Sequence, residues 1–254
     1  MVTAKEIYDY IDSFAPFETA MSFDNVGILI GDSDICADKA LLALDITSEI
    51  INEAVEKGIS LIVTHHPIIF SPLRAVSSDS LQYKLIRSGI TVISAHTNLD
   101  ICEGGVNDTL ACAIGLRLIG HANEECFVTA ELEQELTDAE FAEKISCSLG
   151  CSGLRYTERK GRIKKVSVAC GAGGSGIYDA IKEGADAFVT GEIKHHEILA
   201  ARENNISVFD LGHFRSEDLI IDRLAMLFSE KFPDTEFIKA ENDREEIIYY
   251  KANN

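Results

Sequence analysis

The chain has 254 residues, and 23 Lys and Arg against 42 Asp and Glu give it a formal charge of −19. That balance argues against nucleic acid and against an anionic membrane surface as partners, because both are held by clustered Lys and Arg. A hydrophobic share of 46% is enough to fill a core, and no apolar run approaches the ~20 residues that span a bilayer. Residues 1–7 carry an acidic side chain and no long apolar stretch, so they do not read as a secretory signal. The seven cysteines are scattered without a C-x-x-C pair. They read as reduced cytoplasmic thiols used as small hydrophobes, with Cys147 and Cys151 on one helix as packing residues.

The elements follow in chain order. Thr3 and Glu6 form a capping box, and Ile7, Ile11 and Phe14 continue at helical spacing until Pro16. Short β-rich runs occupy 26–30 and 40–46. A helix over 49–57 closes at Gly58, and 60–64 is apolar on both faces, the mark of a strand buried in a parallel sheet. A second helix over 80–87 closes at Gly89 before a buried strand at 90–95. Past Cys126, a strand at 127–132 leads to a second capping box, Thr137 with Glu140. Strands at 166–169, 187–190 and 206–209 alternate with helices from about 178 and 194. A long helix spans 216–232, and the tail through Tyr249 and Tyr250 alternates like an edge strand. Strand and helix alternation predicts βαβ units and an α/β fold, with a second unit starting near Cys126. A faint repeat supports two halves: A-V-E-K-G-I-S-L-I-V-T at 54–64 and A-I-K-E-G-A-D-A-F-V-T at 180–190. Each is a helix end, a Gly stop and a buried strand, although any two βαβ units share that outline.

Chemistry concentrates at strand ends. His65 and His66 follow the strand that ends at Thr64. His96 follows the strand at 90–95, with Asp100 four residues on. His213 follows the strand at 206–209 after a short spacer that ends in Gly212, with Glu217 four residues on. The carboxyl ends of parallel strands line the ligand crevice of such sheets. Imidazole and carboxylate together suit Zn, Mn, Fe or Ni. Neighbouring residues of an extended chain point to opposite sides, so His65 and His66 suit two ions better than one. Two ions ~3.5–4 Å apart can clamp an attacking oxygen and a leaving oxygen. Each residue also has a plainer reading: a strand-end His that is only hydrogen-bonded, Asp100 as a turn cap, Glu217 as a first-turn acid.

Seven segments in order then make the chain resemble a known family. They are F-D-N-V-G-I-L-I-G-D (23–32), A-L-D-I-T (43–47), V-T-H-H-P (63–67), S-A-H-T-N-L-D (94–100), G-G-V-N-D (104–108), G-A-D-A-F-V-T-G-E (184–192) and G-H-F-R-S-E (212–217). The chain resembles the GTP cyclohydrolase I type 2 homologues, also called Nif-three-like dinuclear metal-binding proteins, in the compact form without a central inserted domain. The resemblance implies two divalent cations per chain, held by His65, His66, Asp100, His213 and a bridging Glu217. It places His96 in a supporting or substrate-facing role and implies a toroidal homohexamer of chains built from two similar, intertwined three-layer α/β/α units with mainly parallel sheets, 1–125 with 210–254 and 126–209. Phe214 stands where many members carry tyrosine, which removes a hydroxyl but no ligand.

Three functions are therefore open. The first is a dinuclear metal-dependent hydrolase acting on a small molecule such as a nucleotide, with His96 or Glu192 moving protons. The second is a metal-handling or interaction protein without turnover. The third is a dinucleotide-dependent oxidoreductase, because G-A-G-G-S-G at 171–176 fits G-x-G-x-x-G with Glu192 about twenty residues on. For that loop a tight turn is favoured, with a phosphate cradle second. His195 and His196 diverge on a helix, so a solvated helix start is favoured over a site role. The basic run Lys160, Arg162, Lys164 and Lys165 reads as a solvated turn and strand edge.

Overall fold

Capping boxes start two of the helices, as their sequence signatures predict. In a computed structural model, which describes residues 1–122, 126–151 and 153–248, Thr3 caps Ala4–Phe14 and Thr137 caps Asp138–Leu149. In both, the threonine hydroxyl accepts from the third helical N–H while the glutamate returns to the cap backbone, which satisfies two otherwise orphaned donors. The chain divides into two units. Among the described residues, one comprises Met1–Cys102 with Ile220–Arg244, the other Glu103–Leu219 with 245–248.

The first unit is built on a five-stranded sheet in the order Glu236–Lys239, Lys39–Ala43, Leu61–Thr64, Thr91–Ser94, Gly27–Ile30. The first three pairings are parallel and the last is antiparallel. Leu41, Ala43, Ile62 and Val92 pack with Ile50, Ile51 and Ala54 of Ser48–Glu56 and with Leu85 of Leu81–Arg87. Their alternates Leu42, Leu61, Val63 and Ile93 are also fully buried. These strands are thus covered on both faces, which is why they read as continuous apolar runs. Tyr10 of Ala4–Phe14 meets Phe228 and Phe232 edge-on at 6.1 and 5.7 Å, and Phe228 packs on Phe237 at 5.2 Å.

The second unit carries a six-stranded sheet in the order Arg117–Ala122, Phe127–Leu136, Ile163–Ala169, Ala187–Thr190, Ser207–Asp210, Arg155–Tyr156. Its three central strands run parallel, and the outer pairings are antiparallel. The sheet is therefore mixed, where the first is mainly parallel. Val208 and Phe188 pack toward Ile177–Lys182 and His195–Glu203. Phe209, one residue on and so on the other face, meets Phe141 of Asp138–Leu149 edge-on at 4.9 Å. Three layers result.

The repeat is visible as geometry. Gly58 and Gly184 both take positive φ, 67° and 66°. Behind them Ile59 donates to Ala54 and Ala185 to Ala180, at 2.8 and 3.0 Å. That is a left-handed helix stop, and each leads into the central parallel strand of its sheet.

Several expectations are corrected. Of the basic run, Lys160 and Arg162 lie exposed in the turn before Ile163–Ala169, but Lys164 and Lys165 lie in that strand, which is paired on both sides and is not an edge. Lys164 tolerates this because its ammonium reaches the carbonyls of Leu132 and Glu133 at 2.6 and 3.1 Å. The long final helix breaks at Asp218 into His213–Glu217 and Leu219–Lys231. Of the cysteines only Cys170 is buried; Cys36, Cys112 and Cys147 are exposed, so packing does not explain them. The tail around Tyr249 and Tyr250 lies outside the described residues, and the outer strand is Glu236–Lys239 instead. Among the described residues, no helix is long and apolar enough to cross a membrane.

Candidate metal centre

In the first unit the chain leaves Leu61–Thr64 and turns at Pro67. The Thr64 hydroxyl donates to the His66 carbonyl at 2.9 Å and fixes that turn. His65 is fully buried, and its Nδ1–H donates to the Ala95 carbonyl at 2.9 Å. His66 donates from Nδ1 to Asp45 at 2.9 Å, and His96 from Nδ1 to Asp24 at 2.9 Å. A carbonyl or an ionised carboxylate can only accept, so each Nδ1 carries the proton. In the neutral ring the lone pair is then on Nε2, the usual device for orienting a ligand histidine.

The three rings form one cluster, with centroids 5.0 Å (His65–His66), 5.1 Å (His65–His96) and 5.6 Å (His66–His96) apart. Their donor nitrogens could hold a metal ion. Asp100, on the short helix Thr97–Ile101, sets Oδ1 3.5 Å from His65 Nε2. Burial pushes the Asp24 carboxyl up. Hydrogen bonds from His96 and from the hydroxyl and N–H of Thr97 outweigh it and hold the group well below the usual carboxylate range.

In the second unit His213 and Glu217 are the ends of one helical turn, His213–Glu217. The i, i+4 spacing puts them on one face, with His213 Nε2 3.1 Å from Glu217 Oε2. His213 Nδ1–H donates to Glu192 at 2.8 Å. Here too a ring's lone pair faces a carboxylate oxygen, an arrangement that is stable only with a shared cation, a proton or a metal. Ser216 braces the turn: its hydroxyl accepts from Gly171 N–H at 2.9 Å and donates to the His213 carbonyl at 2.8 Å.

Gly171 forms the floor of this half-site. Its φ is +54°, and a Cβ there would collide with Glu217 Oε1 and stand 3.2 Å from His213 Nε2. Gly173 and Gly174 are also enclosed, a Cβ meeting Ala169 Cβ at 2.7 Å and the Glu192 carbonyl at 2.5 Å, while at Gly176 it would make only ordinary contact with Phe188. The G-x-G-x-x-G segment is therefore a turn packed against protein. The helix that follows, Ile177–Lys182, has only six residues, and nothing here supports a dinucleotide site. His195 and His196 are exposed at a helix start.

The two units use one device. After the central strand comes His65-His66 in one and Gly191-Glu192 in the other. After the next strand comes His96 or His213, with a carboxylate four residues on. Ala95 N–H to Thr64 and Leu211 N–H to Thr190 are the matching ladder bonds, at 2.9 and 3.0 Å. Asp24 and Asp45, which orient His96 and His66, were not read as functional from the sequence, although both lie within the shared motifs.

A family model described as Duf34/NIF3 (NGG1p interacting factor 3) matches residues 2–245. The chain belongs to this family. A Clostridium perfringens (strain 13 / Type A) protein named GTP cyclohydrolase 1 type 2 homolog is 36% identical, over 92% of this chain and 94% of its own length. A Clostridium acetobutylicum protein of the same name is 35% identical over 84% of each chain. The crystal structure of Staphylococcus aureus protein SA1388 superposes with a TM-score of 0.89 at 28% identity, covering 98% of this chain and 99% of that one. The mixed α/β architecture described above is thus the Duf34/NIF3 fold.

Proposed function

We propose that this Duf34/NIF3 chain is a dinuclear divalent-metal-dependent hydrolase of a small molecule, a nucleotide by the name its relatives carry. In this reading, which takes its ligand set from the family resemblance, His65, His66, Asp100, His213 and Glu217 would hold two divalent cations. The observation that carries the reading is the shared orientation of four histidines. Each gives its Nδ1–H to an oxygen, which fixes the ring and turns Nε2 to its opposite edge. Five protein ligands for two ions would leave coordination positions open for water or substrate, the pattern of a catalytic and not of a structural site.

Divalent cations in such a centre lower the pKa of water and polarise a carbonyl or phosphoryl oxygen. The chain's own residues supply the rest. Asp24 fixes the His96 ring so that Nε2 can accept a proton and return it to a leaving group. Asp45 and Glu192 hold His66 and His213 in the tautomer that presents Nε2. The reading extends to a homohexamer and to the cytoplasm, a reducing compartment that fits cysteines without a disulfide.

The test is metal content by mass spectrometry on protein purified without chelator, beside Glu217→Ala, followed by a panel of GTP, phosphoesters and cyclic amides. Two transition-metal ions per chain, lost or halved in the variant, with turnover of one panel member, is the expected result. Metal without turnover would leave a metal-handling protein, and a wild type that takes up no Zn, Mn, Fe or Ni would refute the centre. Sedimentation of the same sample decides the hexamer.

A further inference from the structure

Two exposed aromatic rings stand beside the histidine cluster of the first unit. Phe23 is 60% and Phe70 50% exposed. Their centroids lie 6.1 Å apart with the planes at 54°, and Phe70 meets His96 edge-on at 6.2 Å. Single exposed hydrophobics are ordinary on a protein surface. A pair in ring contact, touching a candidate catalytic histidine, is not a scattered event.

The backbone under both rings is pinned. Asn25 donates its side-chain amide to the Ile69 carbonyl at 2.5 Å, which ties the loop bearing Phe23 to the loop bearing Phe70. Gln82 donates to the Ile68 carbonyl at 2.8 Å, and Ile68 and Ile69 pack into the core below. Met21 N–H reaches the Thr97 hydroxyl at 2.9 Å, and the Asp24 side chain holds His96 and Thr97. Rings this exposed, yet held in fixed mutual geometry, form a preorganised apolar corner. A planar ring can lie on one face with its edge against the other, the offset and edge-on arrangements aromatic pairs prefer.

We propose that Phe23 and Phe70 form the base-binding corner of the site, receiving the planar heteroaromatic ring of a purine nucleoside or nucleotide beside His96. The assignment rests on the hydrolase reading for what the ring is delivered to, but ring binding itself needs no turnover. Phe23 and Phe70 act by positioning and set specificity for a base over a bare sugar phosphate.

The probe is 2-aminopurine riboside, whose fluorescence is quenched by stacking; the chain contains no Trp to obscure it. Full-length metal-loaded protein should quench it saturably. Adenosine should compete and ribose 5-phosphate should not. Phe23→Ala and Phe70→Ala should each weaken binding about tenfold, ~1.4 kcal/mol and within the range of base–aromatic stacking, and Phe70→Leu should fall in between. Metal content should be the same in all of them. The proposal is overturned if the wild type does not quench, if the variants bind as the wild type does, or if ribose 5-phosphate competes equally. It is also overturned if the alanine variants change the sedimenting species at unchanged probe affinity, which would assign the corner to a contact between copies. Metal content of the same sample separates the two readings: a wild type that takes up no metal yet quenches the probe would sink the metal centre alone, and a metal-loaded wild type that does not quench would sink the corner alone.

Discussion

Replacing Gly171 by alanine tests whether the second unit's half-site depends on a backbone that only glycine provides. At φ +54° the added Cβ meets Glu217 Oε1 head-on and lies 2.9 Å from Glu217 Cδ. Real Cβ atoms essentially never approach within 3.0 Å, so the carboxylate must withdraw. Withdrawal of roughly an ångström exceeds several-fold the ~0.2 Å tolerance of a metal–ligand bond. A left-handed conformation also costs an L-residue ~1–2 kcal/mol. Gly184→Ala separates the two effects, because Gly184 has φ +66° in the same unit but nothing within 4 Å of its Cβ position. Both variants should melt lower by roughly 2–8 °C, from ~2–4 °C per kcal/mol for a chain of this size. Only Gly171→Ala should lose metal affinity, by at least the ~10–100-fold seen when a supporting group is lost. Competition against a chelator, read by mass spectrometry, and calorimetry measure the two quantities. The reasoning fails if Gly171→Ala retains wild-type metal affinity, or if Gly184→Ala loses as much.

Other consequences can be measured on the same protein. Burial pushes the Glu53 carboxyl up, but the Lys57 ammonium and the N–H groups of Glu241 and Asn242 outweigh it and hold it at about 2, against 4.5 ordinarily. The stabilisation is therefore fully present above pH 4.5 and lost as pH falls toward 2. Glu53→Gln should cost up to about 3 kcal/mol in urea titrations at pH 7 and almost nothing at pH 2; a gap independent of pH would refute the assignment. Asp45→Ala should lower metal affinity ~10–100-fold with the melting temperature nearly unchanged, since Asp45 is about half exposed; equal affinity would show that His66 does not need its orienting partner. Phe188→Ala should destabilise by ~3–5 kcal/mol, because the ring is fully buried among Ile177, Ala180, Ala201 and Val208; a loss under 1 kcal/mol by chemical denaturation would mean that the second core collapses around the gap.

The fold was legible wherever local chemistry and burial agree. Both capping boxes announce their helices, and Leu61–Thr64 and Ala187–Thr190 are apolar on both faces because both faces are covered. Glu236–Lys239, Arg117–Ala122 and Arg155–Tyr156 were not read as strands. They lie at or next to sheet edges, carry polar residues, and are fixed by pairing with distant segments. The break at Asp218 was hidden because the apolar spacing continues across it. At the candidate site the histidines showed themselves by following strands. Their orienting acids did not, because Asp24 meets His96 across 72 residues and Asp45 meets His66 across 21. Gly171 looked like a turn and is one. That the turn also makes room for Glu217 follows only from the tertiary packing.

Charge explains why the acids behind the histidines belong to the proposed centre. Two divalent cations bring four positive charges, and Asp100 and Glu217 as ligands return only two. Neutral imidazoles add none. Asp24, Asp45 and Glu192 each take an Nδ1–H and place three further negative charges one ring away, where they raise the basicity of each Nε2. The same carboxylates would stabilise an imidazolium equally well, so protons and metal compete for these nitrogens. Metal affinity should then fall steeply as pH drops through the histidine range. The fall should be shallower in Asp45→Ala, which removes the anion that favours the protonated ring as well as the one that strengthens the ligand. A chelator titration from pH 8 to pH 5 measures both slopes. Parallel curves for wild type and variant would show that the carboxylate orients the ring without taking part in its charge balance.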